Sequence, residues 1–108
     1  MKIIWTDFAS ETLAEIFKYY KKSASDKVAR EIKSSIFSST KQLIKQPKSG
    51  QIENTLKKLK EDHRYLVEGN YKVVYKKVSE GILITDVFDT RQDPIKINNP
   101  KRKRNTQK

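Results

Sequence analysis

The stretch HRYLVEGNYKVVYKKVSEGILITDVFDTRQD, from His63 to Asp93, decides how the chain folds. Its apolar residues recur with a period of two. Arg64 to Val67 reads as one strand, Tyr71 to Val78 as a second and Ile82 to Phe88 as a third. Glu68-Gly69-Asn70 closes the first strand. Ser79-Glu80-Gly81 is a tight hairpin signal, with Gly81 suited to a left-handed backbone. Three consecutive antiparallel strands make a meander. Alternation divides the middle strand: Tyr71, Val73 and Tyr75 are expected to pack on helices, and Lys72, Val74 and Lys76 to form an open, positive face.

Upstream, the period becomes helical. Lys2 to Thr6 is a short apolar, β-branched strand. Asp7 is placed to cap the helix that follows, with Glu11 in its first turn. Ala9, Leu13, Ile16, Phe17 and Tyr20 form one apolar stripe, and the helix ends near Lys22. Ser23, or else Ser25, caps a second helix carrying Ala29, Ile32, Ile36 and Leu43. Pro47 and Gly50 stop it. Two helices with so short a connection form an antiparallel hairpin. Residues 51–62 are polar and read as loop. The order is β-α-α-β-β-β, an α+β fold of two layers with an N-terminal helical hairpin packed on an antiparallel sheet.

The chain has 108 residues, enough for one domain and one modest core. It has no cysteine, which excludes a disulfide framework, a Cys-ligated zinc site and a thiolate nucleophile, and fits a reducing cytoplasm. No apolar run approaches a membrane span, and Met1 to Trp5 enters a strand with no signal peptide. No His, Asp or Glu group has metal-ligand spacing, so no metal or organic cofactor is expected. The net charge is +11. Six basic residues and no acid lie in residues 96–108, which leaves +5 on residues 1–95. A body basic in its own right suits a nucleic acid, a ribosome or an acidic protein. Residues 1–95 are expected to form the domain and 96–108 a basic, disordered tail. The Lys101-Arg102-Lys103-Arg104 run reads equally as a nucleic-acid-binding arm or as solvated tail.

Several of these residues carry a resemblance: Trp5-Thr6 before the first helix, Leu43 followed by Pro47 and Gly50, and the run Arg64-x-Leu66-Val67-x-Gly69-Asn70-Tyr71-Lys72-Val73-Val74-Tyr75. With the strand that ends in Asp86-Val87-Phe88-Asp89-Thr90-Arg91-Gln92-Asp93-Pro94, they resemble bacterial toxins of the RelE/ParE superfamily over residues 3–95. The resemblance implies the two-layer fold and a toxin of a type II toxin–antitoxin module, of the kind linked to plasmid stabilisation. It also implies a cognate antitoxin that wraps the toxin with an extended and a helical segment. Two poisons occur among such toxins. RelE-like members are ribosome-dependent mRNA endoribonucleases. ParE-like members bind DNA gyrase and trap its cleaved complex without being enzymes.

Metal-independent RNA cleavage needs a base for the 2′-hydroxyl, an acid for the leaving oxygen and cations for the phosphorane. Carried over by resemblance, the basic residue after the strand Tyr is Lys72, where RelE-like enzymes favour Arg with its planar fork. The basic residue after the last strand is Arg91, but its neighbour is Gln92. The two lysines of the earlier strand fall on His63 and Tyr65, and no Tyr lies beyond Tyr75. The catalytic candidates are therefore His63, Lys72 and Arg91, in an incomplete set that favours the ParE-like function. His63, the only histidine, reads otherwise as a strand-edge residue with no role. Arg64 and Lys76 are candidates for contact with the target. Arg64 reads alternatively as a structural partner of Glu68, Asp86 or Asp89. Tyr71, Tyr75 and Phe88 on alternating strands read as core before they read as base-stacking platforms.

Overall fold

The computed structural model describes residues 1–99 and 102. Most of the expected tail, including Lys101, Lys103 and Arg104, lies outside the described residues. The elements run β1 Lys2–Trp5, α1 Asp7–Ser23, α2 Asp26–Ser39, β2 Gln51–Ile52, β3 Arg64–Glu68, β4 Tyr71–Val78 and β5 Gly81–Asp89. Short 3-10 turns occupy Thr40–Ile44, Asn54–Leu59 and Pro94–Asn98. The strands form one five-stranded sheet in the order β1-β5-β4-β3-β2. The meander is present, with two-residue turns at Gly69-Asn70 and Ser79-Glu80.

β1 joins the sheet parallel to β5. Lys2 lies opposite Gly81 in this pairing, and Gly81 has φ 155. A Cβ there would collide with the Lys2 carbonyl, so this glycine serves the approach of a strand as well as the hairpin.

The helix starts differ slightly from expectation. Thr6, not Asp7, caps α1. Its backbone continues the sheet, with its N–H donating to the Ile84 carbonyl at 3.0 Å, and its Oγ1 accepts from the Ala9 N–H at 3.0 Å. Asp7 lies in the first turn, near the positive end of the helix. Ser25, not Ser23, caps α2 through the Val28 N–H at 3.1 Å. The Ser23 hydroxyl instead donates to the Tyr19 carbonyl at 2.8 Å. α2 stops before Pro47 because hydroxyls compete for its last carbonyls. Ser39 donates to the Ile36 carbonyl at 2.6 Å and Thr40 to that of Phe37 at 2.8 Å, and the chain tightens into the 3-10 turn.

The hairpin covers one face of the sheet. Ala9 and Leu13 of α1, Ile36 of α2 and Leu43 pack against Tyr71, Val73, Tyr75, Ile82, Ile84 and Val87. A bulge in β5 sets which residues reach this core. Val74 lies opposite Asp86 and Tyr75 opposite Ile84, so Thr85 is the extra residue. The extra residue resets the alternation and turns Asp86 and Phe88 to the other face.

That second face is not open, contrary to the sequence expectation. The segment Glu53–Asp62, expected to be loop, crosses it as a strap. Val74, Phe88, Leu56 of the strap and Ile97 of the last turn form a second cluster, with Tyr65 packed beside it. Leu56 and Leu59 are three apart on a 3-10 turn, yet Leu56 is 1% exposed and Leu59 remains outside. The packed body also runs past residue 95. Ile97 is buried, and the Arg102 guanidinium forms an ion pair with both oxygens of buried Asp86.

Candidate functional site

The strap brings carboxylates to the cations of β4. Lys72 Nζ lies 2.8 Å from Glu53 Oε1 and 4.3 Å from the centre of the Tyr65 ring. Glu53 is 3% exposed, and its Oε2 also accepts from the N–H and the hydroxyl of Thr55, at 3.2 and 2.6 Å. Burial pushes the Glu53 carboxyl up. The bonds from Lys72 and Thr55 outweigh it and hold the group below its ordinary value. Lys76 Nζ is 3.2 Å from Glu61 Oε2. The His63 side chain is 0% exposed, with Nε2 3.9 Å from Glu61 Oε1. In this arrangement its ring has no path to a substrate proton.

Arg64 points to the helix side and serves a loop. Its Nη1 donates to the carbonyls of Gly50 at 3.0 Å and Lys48 at 3.4 Å, and its Nε is 3.6 Å from Asp62 Oδ2. The Tyr75 hydroxyl holds the same loop, accepting from the Gly50 N–H at 2.9 Å and donating to the Pro47 carbonyl at 2.8 Å. A Cβ on Gly50 would come within 2.5 Å of that hydroxyl and 2.7 Å of the Tyr65 carbonyl. Pro47, Gly50, Arg64 and Tyr75, which stand out in the sequence, are thus parts of one structural staple. Arg64 pairs with none of Glu68, Asp86 or Asp89.

Arg91 stands apart at the end of the sheet. Its Nε and Nη2 fork onto the two oxygens of Asp89, at 2.9 and 2.8 Å, and its side chain is 54% exposed. The arginine holds the Asp89 carboxyl below its ordinary value, and Asp89, with the Tyr20 hydroxyl, raises that of the guanidinium. Arg91 shares a cleft of about 410 Å³ with Tyr19, Tyr71 and Ile16 of the helix side. The Tyr71 and Tyr20 hydroxyls are 3.4 Å apart, and burial, followed by this contact, pushes the Tyr71 phenol up. His63, Lys72 and Lys76 therefore share the strap-covered face, while Arg64 and Arg91 lie on the helix side at separate places.

The sequence reading missed the outer surface of the hairpin. Phe17 of α1 and Arg30, Lys33, Ser34 and Phe37 of α2 line a broad groove there. Lys33 Nζ lies 5.4 Å from the Phe17 ring centre, and Phe37, 48% exposed, stacks on Trp5 at 5.9 Å. The available signal was Arg30-Lys33-Ser34-Phe37 at helical spacing, off the buried stripe. Among the described residues, no group of three or more His, Cys, Asp or Glu side chains could hold a metal. No described helix is long and apolar enough to cross a membrane.

The architecture is shared with a solved structure described as the chromosomal ParDE TA system from P. aeruginosa. The two are 17% identical, with a TM-score of 0.69 over 82% of this chain and 95% of that one. The N-terminal helical hairpin and the five-stranded mixed sheet make an α+β fold that matches this ParE-like neighbour. The family model described as the ParE toxin of type II toxin–antitoxin system, parDE, matches residues 3–94, and the chain belongs to that family. It is a ParE-like toxin of a type II module. No curated protein matches it in sequence.

Proposed function

We propose that this toxin acts in the cytoplasm by binding DNA gyrase, and that a cognate antitoxin neutralises it. The observation that carries this reading is the dispersal of the candidate nuclease groups. Cleaving RNA requires a base, an acid and cations around one phosphate. Here Lys72 is bound to buried Glu53, His63 is enclosed, and Arg91 lies on the other side of the sheet. A protein that poisons by binding needs no such convergence. It needs a stable body with accessible surface, and the groove of Phe17, Arg30, Lys33 and Phe37 offers apolar area with positive charge. An acidic antitoxin segment fits that groove by charge.

The test uses purified toxin, gyrase and plasmid DNA in a supercoiling reaction. The reading expects supercoiling to fall and cleaved plasmid to accumulate when the complexes are denatured. Intact gyrase activity, together with mRNA cut on translating ribosomes, would contradict it and support the endoribonuclease instead.

A further inference from the structure

The chain carries a net +11, yet both charged residues lining one cavity are acids. It lies where α2 passes the β3–β4 turn and measures about 220 Å³. Its floor is apolar and aromatic: Ile32, Ile36, Tyr20 and Tyr71. Its charged lining residues are Glu31 of α2 and Glu68 at the end of β3, with no lysine or arginine among them. Glu53, Glu61, Asp86 and Asp89 each engage a cation. Among the described residues, Glu31 and Glu68 engage none. In a chain with 24 basic and 13 acidic residues, a hollow whose charged lining is wholly acidic runs against the net charge.

The chemistry of the hollow selects its occupant. Small-molecule sites typically begin at about 300 Å³, so this volume suits one long side chain better than a free metabolite. The floor accepts an aliphatic stem, and the carboxylates at the rim accept a cationic head. A guanidinium fits better than an ammonium, since it forks onto carboxylates and stacks on tyrosine rings. We propose that this cavity receives an arginine side chain carried by the cognate antitoxin. The opposite signs of the two surfaces flanking α2 would then fix the direction of the bound segment, its acids over Arg30 and Lys33 and its arginine at Glu31 and Glu68. This inference rests on the proposed neutralisation by an antitoxin and is independent of the toxin's target.

The test has two arms. In the first, the toxin with isotope-labelled isoleucine methyls is titrated with N-acetyl-arginine amide, and with N-acetyl-citrulline amide as the uncharged isostere. Saturable shifts of the Ile32 and Ile36 methyls are expected with arginine only, and are expected to vanish in the Glu31→Gln/Glu68→Gln variant. Equal shifts with citrulline, or none with arginine, would overturn the site. In the second arm, the antitoxin encoded beside the toxin is titrated into wild type and variant. The dissociation constant is expected to rise about tenfold in the variant, with the unfolding midpoint unchanged. Undiminished antitoxin affinity would overturn the assignment of the occupant, whereas an antitoxin that fails to bind even the wild type would overturn the pairing itself.

Discussion

The two faces of β4 are built from alternate residues of one strand, yet they are stabilised by different means. The helix face presents Tyr71, Val73 and Tyr75 to two helices, and its cluster is apolar but for the tyrosine hydroxyls. The strap face presents Lys72, Val74 and Lys76, and each lysine meets a carboxylate from the same crossing segment. A lysine on a strand is therefore a poor indicator of a functional site when a strap can supply an acid to it. On the helices, Arg30 and Lys33 line one groove and Glu31 lines the other cavity.

The sharpest way to break this comparison is to truncate one apolar residue on each side. Ile36→Ala on the helix face is expected to cost about 4 kcal/mol, because helices and sheet are too constrained to close the cavity. Leu56→Ala is expected to cost about 2 kcal/mol, because the strap can settle inward. Urea unfolding of both variants measures the difference. An equal or larger loss at Leu56 would make the strap as rigid a layer as the hairpin.

A smaller effect isolates the ion pairs. Glu53→Gln keeps the shape but removes the charge beside Lys72, and is expected to cost about 2 kcal/mol at neutral pH. The sign of the pH dependence follows from the depressed carboxyl. Its contribution is complete above the ordinary value of 4.5 and is lost as pH falls below that, through the folded value. Wild type and variant should therefore converge in stability in acid. A gap that stays constant from neutral pH into acid would mean that the Glu53 charge contributes nothing. The smallest effect belongs to Arg91→Ala, whose pair with Asp89 is largely solvated. No resolvable change in unfolding midpoint is expected, and a clear loss would place Arg91 in the framework rather than on accessible surface.

What could be read in the sequence was local. The meander was legible because Gly69-Asn70 and Ser79-Glu80-Gly81 punctuate strands of period two, and the hairpin because Ala9, Leu13, Ile32 and Ile36 keep helical spacing. The parallel pairing of β1 with β5 joins residues far apart in the chain and leaves no local mark. The only trace is Gly81, whose second role depends on Lys2. The strap was hidden for the same reason. Glu53 and Lys72 are 19 residues apart, and nothing near either names the other. Lys72 and Lys76 therefore looked available. Pro47, Gly50, Arg64 and Tyr75 carried the family likeness, and their contacts show that they hold a loop in place.

The central claim, that this toxin poisons by binding rather than by cutting RNA, is tested most directly in cells. After induction in a bacterial host, incorporation of labelled thymidine and labelled methionine is followed in parallel. The account predicts that DNA synthesis falls first while translation continues. Early loss of protein synthesis with cleaved mRNA, and replication still running, would contradict it.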